Sequence, residues 1–414
     1  MAPEETTTSH PSPSRRYAVT GTLVTDAGLI DDALVAIEGD RIEYAGTVAD
    51  FTRRNDAGDF PVRMSGARIM PGLIDLHCHG SFGGDFSTSD APTLRAALTR
   101  LHAAGTTTLV ASLMSDRAEA MLSAAERIAE FVDDGMIAGI HAEGPFLAPA
   151  RAGAQDATAF RDPDPAFVDE LIAASRGALR TMTFAPERPG ADALIEQLVS
   201  HGVIPSIGHT DASTELTRQS LDLALEELSS AGFDGYTEIP TVTHLFNGMA
   251  PWHHRTPGAA GAALEFALRR RARIEVIGDG HHLHPDTLRM LLLAVPEECL
   301  ALVTDSTAAT GMPDGDYPLG QLRIRRSQGQ VHSAEGHLAG SASTLLDAVL
   351  LCVEAGVDML RVLPAVTTVP AAILGLQDEV GALHEGFRAD LLVLDESLDL
   401  VATIRAGEVL TESP

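Results

Sequence analysis

Ile69-Met70-Pro71-Gly72-Leu73-Ile74-Asp75-Leu76-His77-Cys78-His79 is an apolar run that ends in alternating acid and imidazole side chains. In an extended strand successive side chains face opposite ways, so Asp75, His77 and His79 share one side while Ile74, Leu76 and Cys78 share the other. Two imidazoles at i and i+2 beside a carboxylate make a preformed half of a divalent metal site. Cys78, on the opposite side, is expected to pack.

From this strand onward, β-rich apolar runs recur at Leu73–His79, Thr106–Leu113, Met136–Glu143, Arg180–Ala185, Val203–His209, Pro240–Leu245, Arg273–Asp279 and Leu300–Asp305. Amphipathic segments lie between them, with helix-start signals such as Asp90 with Pro92, Asp164 with Pro165, Asp211 before Ser213, and His284 with Pro285. Eightfold strand–helix alternation predicts an α/β protein built as a (β/α)8 TIM barrel over residues 70–376. The flanking segments, 16–69 and 377–414, read as short alternating strands and are expected to pair into one small β-sandwich formed by both chain termini. Residues 1–15, rich in Pro, Ser, Thr and Glu, read as a disordered tail without a hydrophobic signal core. Residues 306–342, with Gly311, Gly315, Gly320, Gly329 and Gly336 between short β-like runs, suggest a hairpin insertion after the eighth strand.

Composition narrows the chemistry. A net charge of −29 argues against nucleic acid or an anionic membrane as partner. No 18-residue uncharged apolar run occurs, and three widely spaced cysteines, Cys78, Cys299 and Cys352, suit reduced thiols in a cytoplasm. All 29 basic residues are arginine. Without lysine, Schiff-base catalysis, a P-loop and a carboxylated-lysine metal bridge are excluded, and any pair of metals must be bridged by Asp or Glu.

The strand ends carry the remaining signal. His77 and His79 end the first strand, Glu143 the third, His209 the fifth, His244 the sixth, Asp279 with His282 the seventh, and Asp305 the eighth. In a barrel all C-terminal strand ends meet at one mouth, where active sites sit. Imidazole and carboxylate donors without a thiolate cluster suit zinc or another first-row divalent ion. Glu143, His209 and His244 would form an open site able to lower the pKa of water to about 7. Asp305 would then shuttle the proton to a leaving amine, which amounts to metal-assisted hydrolysis of an amide-like bond.

Several strings resemble the amidohydrolase superfamily and, within it, the N-acetylglucosamine-6-phosphate deacetylase family. They are Pro71-Gly72-Leu73-Ile74-Asp75-Leu76-His77-Cys78-His79-Gly80, His141-Ala142-Glu143-Gly144-Pro145-Phe146-Leu147, Gly208-His209-Thr210-Asp211-Ala212 and Thr243-His244-Leu245-Phe246-Asn247-Gly248-Met249. Asp279-Gly280-His281-His282, Leu302-Val303-Thr304-Asp305-Ser306 and Leu338-Ala339-Gly340-Ser341 follow in the same order. The resemblance spans nearly the whole chain.

The resemblance implies that Glu143, His209 and His244 bind the principal metal, that His77 and His79 hold a second with Glu143 bridging, and that one or two divalent ions, zinc first among them, serve each subunit. It implies Asp305 as the acid/base and His282, Asn247, Gly248, Ala154 and Gln155 as substrate contacts. It also implies that Arg255 reaches a neighbouring subunit's substrate phosphate, which makes a homodimer the expected assembly. Gln155 and Gly248 depart from the family's usual histidine and alanine. The implied reaction removes acetate from N-acetylglucosamine 6-phosphate in amino-sugar catabolism. The galacto epimer, a non-phosphorylated N-acyl compound and a non-catalytic scaffold are the alternatives.

Overall fold

The computed structural model describes residues 15–54, 58–232 and 238–412; the tail read at Met1–Ser14 lies outside them. Eight strands form one parallel sheet: Leu73–Cys78, Thr106–Leu113, Gly139–Glu143, Leu179–Phe184, Ile204–Ile207, Thr241–Val242, Arg273–Ile277 and Leu300–Val303. Each pairs with the next in sequence, as a barrel requires. The last strand meets the first at the C-terminal rim. There the Asp305 N–H donates to the His77 carbonyl at 2.9 Å and the His79 N–H to the Ser306 carbonyl at 2.8 Å.

All eight predicted strands are present, but several end earlier than the apolar pattern indicates. Val203–His209 contracts to Ile204–Ile207, and Leu300–Asp305 to Leu300–Val303. The reason is conformational. His209, His244 and Asp305 take φ values of 45°, 29° and 48°, outside the extended region, so the chain leaves each ladder where its chemistry begins.

The helices start where short polar residues can cap them. Asp90 accepts from the Thr93 N–H, Asp164 from the Ala166 N–H, Ser213 from the Leu216 N–H and His284 from the Asp286 N–H. Their inner faces, including Leu94, Leu98, Ile128, Phe131, Leu198 and Phe266, pack against the strands in one continuous core.

Both termini join a single seven-stranded sheet in the order Glu408–Glu412, Leu400–Arg405, Leu391–Leu394, Val62–Pro71, Arg16–Thr25, Gly28–Glu38, Arg41–Thr47. Val19, Val35, Ile37 and Ile69 from the N-terminal part share a core with Leu391, Val393 and Ile404 from the C-terminal part. The segment after the eighth barrel strand is richer than a hairpin. Gly315–Leu319, Leu322–Ser327 and Gln330–Ser333 form a three-stranded antiparallel sheet over Met114, Leu319, Ile324 and Val331.

His102 packs within the helical layer of the barrel. It is buried in the helix Ala91–Ala103, with ring nitrogens 2.7 Å from the Thr106 carbonyl and 3.0 Å from the Met136 carbonyl. Burial, helped by the nearby Arg405 guanidinium, pushes its pKa down to about 4. The two carbonyls favour the charged ring, but burial outweighs them, so His102 binds the proton less readily in the folded chain than in the unfolded one. Its contribution to stability is complete above the unfolded pKa near 6.5 and is lost as pH falls toward 4. Denaturant unfolding at pH 7 and pH 5 should show an acid-side loss that is smaller in His102→Gln by about 2 kcal/mol. Equal losses in both proteins would refute this assignment.

Candidate metal centre

Glu143 ends the third barrel strand and is almost fully buried. Its Oε1 lies 2.9 Å from His209 Nε2 and 2.9 Å from His244 Nε2. Its Oε2 lies 3.2 Å from His79 Nε2, and His77 Nε2 is 3.7 Å from Oε1. The two nitrogens of the His-x-His pair face each other at 3.1 Å. Asp305 Oδ1 approaches the same pair at 3.4 Å from His79 and 3.5 Å from His77. Residues from five strand ends thus converge on one point.

Two of the four rings are aimed by a hydrogen bond at the other nitrogen, while His244 Nδ1 meets no partner among the described residues. His209 Nδ1 donates to the Arg151 carbonyl at 2.8 Å and His79 Nδ1 to the Ser112 carbonyl at 3.2 Å, which leaves both Nε2 atoms as lone-pair donors. His77 Nδ1 is 3.6 Å from the Glu275 carboxylate. His141, which shares the His141-Ala142-Glu143 string, is not part of the cluster. Ser112 Oγ at 2.9 Å and Thr183 Oγ1 at 2.7 Å engage both of its nitrogens, and burial lowers its pKa.

The electrostatics call for positive charge. Burial alone would lower the His79 pKa, but Asp305 and Glu143 outweigh it and hold the imidazole at about 10. His77 and His209 are likewise raised by carboxylates against the effect of burial. Burial pushes the Asp305 carboxyl up, yet His77 and His79 bring it down to about 2; Glu143 is also held well below its usual value, chiefly by His209. Buried carboxylates and imidazoles in such proximity fit a divalent cation by donor type and by spacing. His77, Glu143 and His244 offer ligand atoms within 4.8 Å of one another, as do His77, His79 and Asp305.

The other predicted site residues divide. Ala154, Gln155 and Asn247 line a small cavity of about 30 Å³ beside Glu143, together with Met114, Leu319 and Leu338. Gln155 does not present a free amide. Its Nε2 donates to Glu143 Oε2 at 2.5 Å, and its Oε1 accepts from the Ser115 N–H at 3.0 Å. The Asn247 N–H is engaged by the His244 carbonyl at 2.9 Å. Gly248 lies behind His209 at φ 58°, where a Cβ would come within 2.7 Å of His209 Nδ1, so glycine lets the ring sit close. His282 pairs with Asp279 at 2.7 Å, and its buried Nε2 meets no partner among the described residues. Arg255 is set apart, exposed in the segment Trp252–Thr256.

Sequence reasoning missed Glu275, Thr304, Ser115 and Arg151. Glu275 left one signal, a lone acid inside Arg273-Ile274-Glu275-Val276-Ile277. The others are ordinary hydroxyls and a surface-type arginine whose partners are distant in sequence.

A parallel eight-stranded barrel with buried imidazoles and carboxylates at its C-terminal mouth defines the class of metal-dependent barrel hydrolases. The Amidohydrolase family model matches residues 68–223 and 275–410, and the chain belongs to this family. A solved N-acetyl-D-glucosamine-6-phosphate deacetylase variant from Mycobacterium smegmatis, in complex with N-acetyl-D-glucosamine-6-phosphate, is 36% identical with a TM-score of 0.85, covering 96% of this chain and 99% of that one. The N-acetylglucosamine-6-phosphate deacetylase of Vibrio furnissii is 30% identical over 92% of both chains. The N-acetylgalactosamine-6-phosphate deacetylase of Escherichia coli O157:H7 is 32% identical over 91% of this chain and 94% of its own.

Divalent ions should therefore stabilise the fold. Zinc at a hundredfold excess over its Kd should raise the unfolding free energy by about 2.7 kcal/mol, and chelation should reverse the gain. Glu143→Gln should abolish most of the response in a thermal melt; an unchanged response would remove Glu143 from the ligand set.

Proposed function

We propose that this chain hydrolyses N-acetylglucosamine 6-phosphate to glucosamine 6-phosphate and acetate, in the cytoplasm and as a homodimer. The observation that carries the reading is Asp305, whose carboxylate stands 3.4–3.5 Å from the His-x-His pair at the rim where Glu143, His209 and His244 meet. Chain similarity to deacetylases across more than 90% of its length supports the choice of substrate. Among the described residues, no helix is long and apolar enough to cross a membrane.

Glu143, His209 and His244 would hold one divalent ion, and His77 and His79 a second with Glu143 between them; zinc suits this donor set. Ions held there supply Lewis acidity toward water and the amide carbonyl. Asp305 accepts the proton of the attacking water at its carboxylate and returns it to the departing amine nitrogen, so acetate and a free amine leave together. Asn247 and Ala154 border the space beside Glu143, and His282, oriented by Asp279, offers Nε2 to a sugar hydroxyl. Arg255, exposed, would meet the 6-phosphate of a partner subunit's substrate with a bidentate guanidinium contact. The division into a sandwich of 16–69 with 377–414 and a catalytic barrel of 70–376 belongs to the same proposal.

The galacto epimer is a second reading, favoured by the Escherichia coli relative at 32% identity. Acetate release with kcat/KM measured on both 6-phosphates decides between them. With the preferred substrate, Asp305→Asn should lower kcat by about 10²–10⁴-fold with little change in KM. Arg255→Ala should mainly raise KM. Failure of the metal-loaded protein to release acetate from either sugar phosphate would end the proposal, and an unaffected Arg255→Ala would redirect it to a non-phosphorylated N-acyl compound.

A further inference from the structure

Gln155 belongs to a closed ring of hydrogen bonds that no substrate contact requires. Its Nε2 donates to Glu143 Oε2 at 2.5 Å, its Oε1 accepts from the Ser115 N–H at 3.0 Å, and Ser115 Oγ donates back to the Glu143 carbonyl at 2.7 Å. Gly144 makes room for this approach, since a Cβ there would sit 2.2 Å from Ser115 Oγ. Gln155 and Ser115 are both buried, so the ring is shielded from competing water.

The ring acts on a particular oxygen. Glu143 Oε1 already faces His209 and His244 at 2.9 Å each, whereas Oε2 is the oxygen directed at His79, 3.2 Å away. A carboxylate free to turn about its Cγ–Cδ bond would average over orientations that spoil one side or the other. Gln155 removes that freedom from the Oε2 side. Being a neutral amide, it orients the carboxylate without neutralising it, as an arginine would. A carboxylate oxygen has two lone-pair directions, so one can accept from Gln155 while the other remains for a cation.

The loop that supplies Gln155 also aims His209. Arg151, four residues earlier, accepts from His209 Nδ1 at 2.8 Å through its carbonyl, and its guanidinium pairs with Asp211 at 2.8 Å from Nε. One short segment therefore positions a histidine on one side of Glu143 and the glutamate oxygen that faces the other side.

We infer that Gln155 is a positioning residue for a second divalent ion: by fixing Glu143 Oε2 toward His79, while Oε1 faces His209 and His244, it makes Glu143 a bridge rather than a ligand to one ion alone. This rests on the metal-centre reading above and adds to it a residue that selects the two-ion state. Groups that orient metal ligands typically change metal affinity by about 10–100-fold when removed.

The test is a zinc titration of the chelator-stripped full chain by calorimetry, with bound metal counted by mass spectrometry. The unsubstituted protein should take up two ions. Gln155→Leu should keep the first affinity and weaken the second by about 10–100-fold. Gln155→His, which retains a ring N–H in reach of Glu143, should keep both, and circular dichroism checks that each variant is folded. Equal weakening of both ions, no weakening of either, or a single ion in the unsubstituted protein would each overturn the inference. No ion bound at all would instead overturn the hydrolase reading on which it stands.

Discussion

The barrel closes where its last strand meets its first, and the groups that close it stand beside the buried carboxylates and imidazoles of the candidate metal centre. Two backbone bonds make the closure, Asp305 N–H to the His77 carbonyl and His79 N–H to the Ser306 carbonyl. A buried pair reinforces it from below. Thr304 Oγ1 donates to Asp75 Oδ2 at 2.6 Å and the Thr304 N–H to Asp75 Oδ1 at 3.3 Å. A one-residue slip at this seam would set Thr304 or Ser306 opposite His77 and carry Asp305 away from the His-x-His pair. The register that completes the fold therefore also sets the distance between the proposed proton shuttle and the His-x-His pair.

Around that seam the molecule concentrates what most cores avoid. Glu143, Asp305, His77, His79, His209 and His244 are all buried, and a buried charge without a partner is strongly destabilising. Here each carboxylate faces imidazoles and each imidazole faces a carboxylate, so the opposing fields offset one another within the cluster. The offset is incomplete in geometry, since few of these contacts are as short as a direct charged hydrogen bond. Positive φ at His209, His244, Phe246 and Asp305 adds local backbone strain, and such strain gathers at functional sites. A fold can carry these costs only if the surrounding scaffold is stiff, which eight short parallel strands under a continuous helical layer provide.

Much of this was legible in the sequence because barrel topology turns order along the chain into proximity in space. His77, Glu143, His209, His244 and Asp305 each end an apolar run, so knowing that the runs are barrel strands was enough to gather them at one rim. What stayed hidden depends on angles rather than on order. Gln155 lies in a loop, and nothing in Ala154-Gln155-Asp156 shows that its amide turns inward to Glu143. The contribution of Arg151 is a carbonyl, which every residue possesses. Glu275 sits within a strand pattern whose alternation does not reveal that its carboxylate lies 3.6 Å from His77. The strand ends were overestimated for the same reason: apolar character continues past the point where φ changes sign.

The terminal sheet runs directly into the first barrel strand. Strand Val62–Pro71 belongs to that sheet, strand Leu73–Cys78 to the barrel, and only Gly72 separates them. The Gly72 N–H donates to the Asp390 carbonyl at 2.9 Å, while Met70 pairs with Leu392 across the ladder, so C-terminal residues grip the chain just before it enters the barrel. A side chain at this junction would collide with Thr107, whose Oγ1 would lie 2.2 Å from the new Cβ. Arg388 adds a second tie by reaching Thr108 Oγ1 at 2.6 Å on the neighbouring barrel strand. The direction in which His77 and His79 emerge is thus set partly by residues more than three hundred positions away, which gives the small sheet a mechanical reason to be assembled from both ends of the chain.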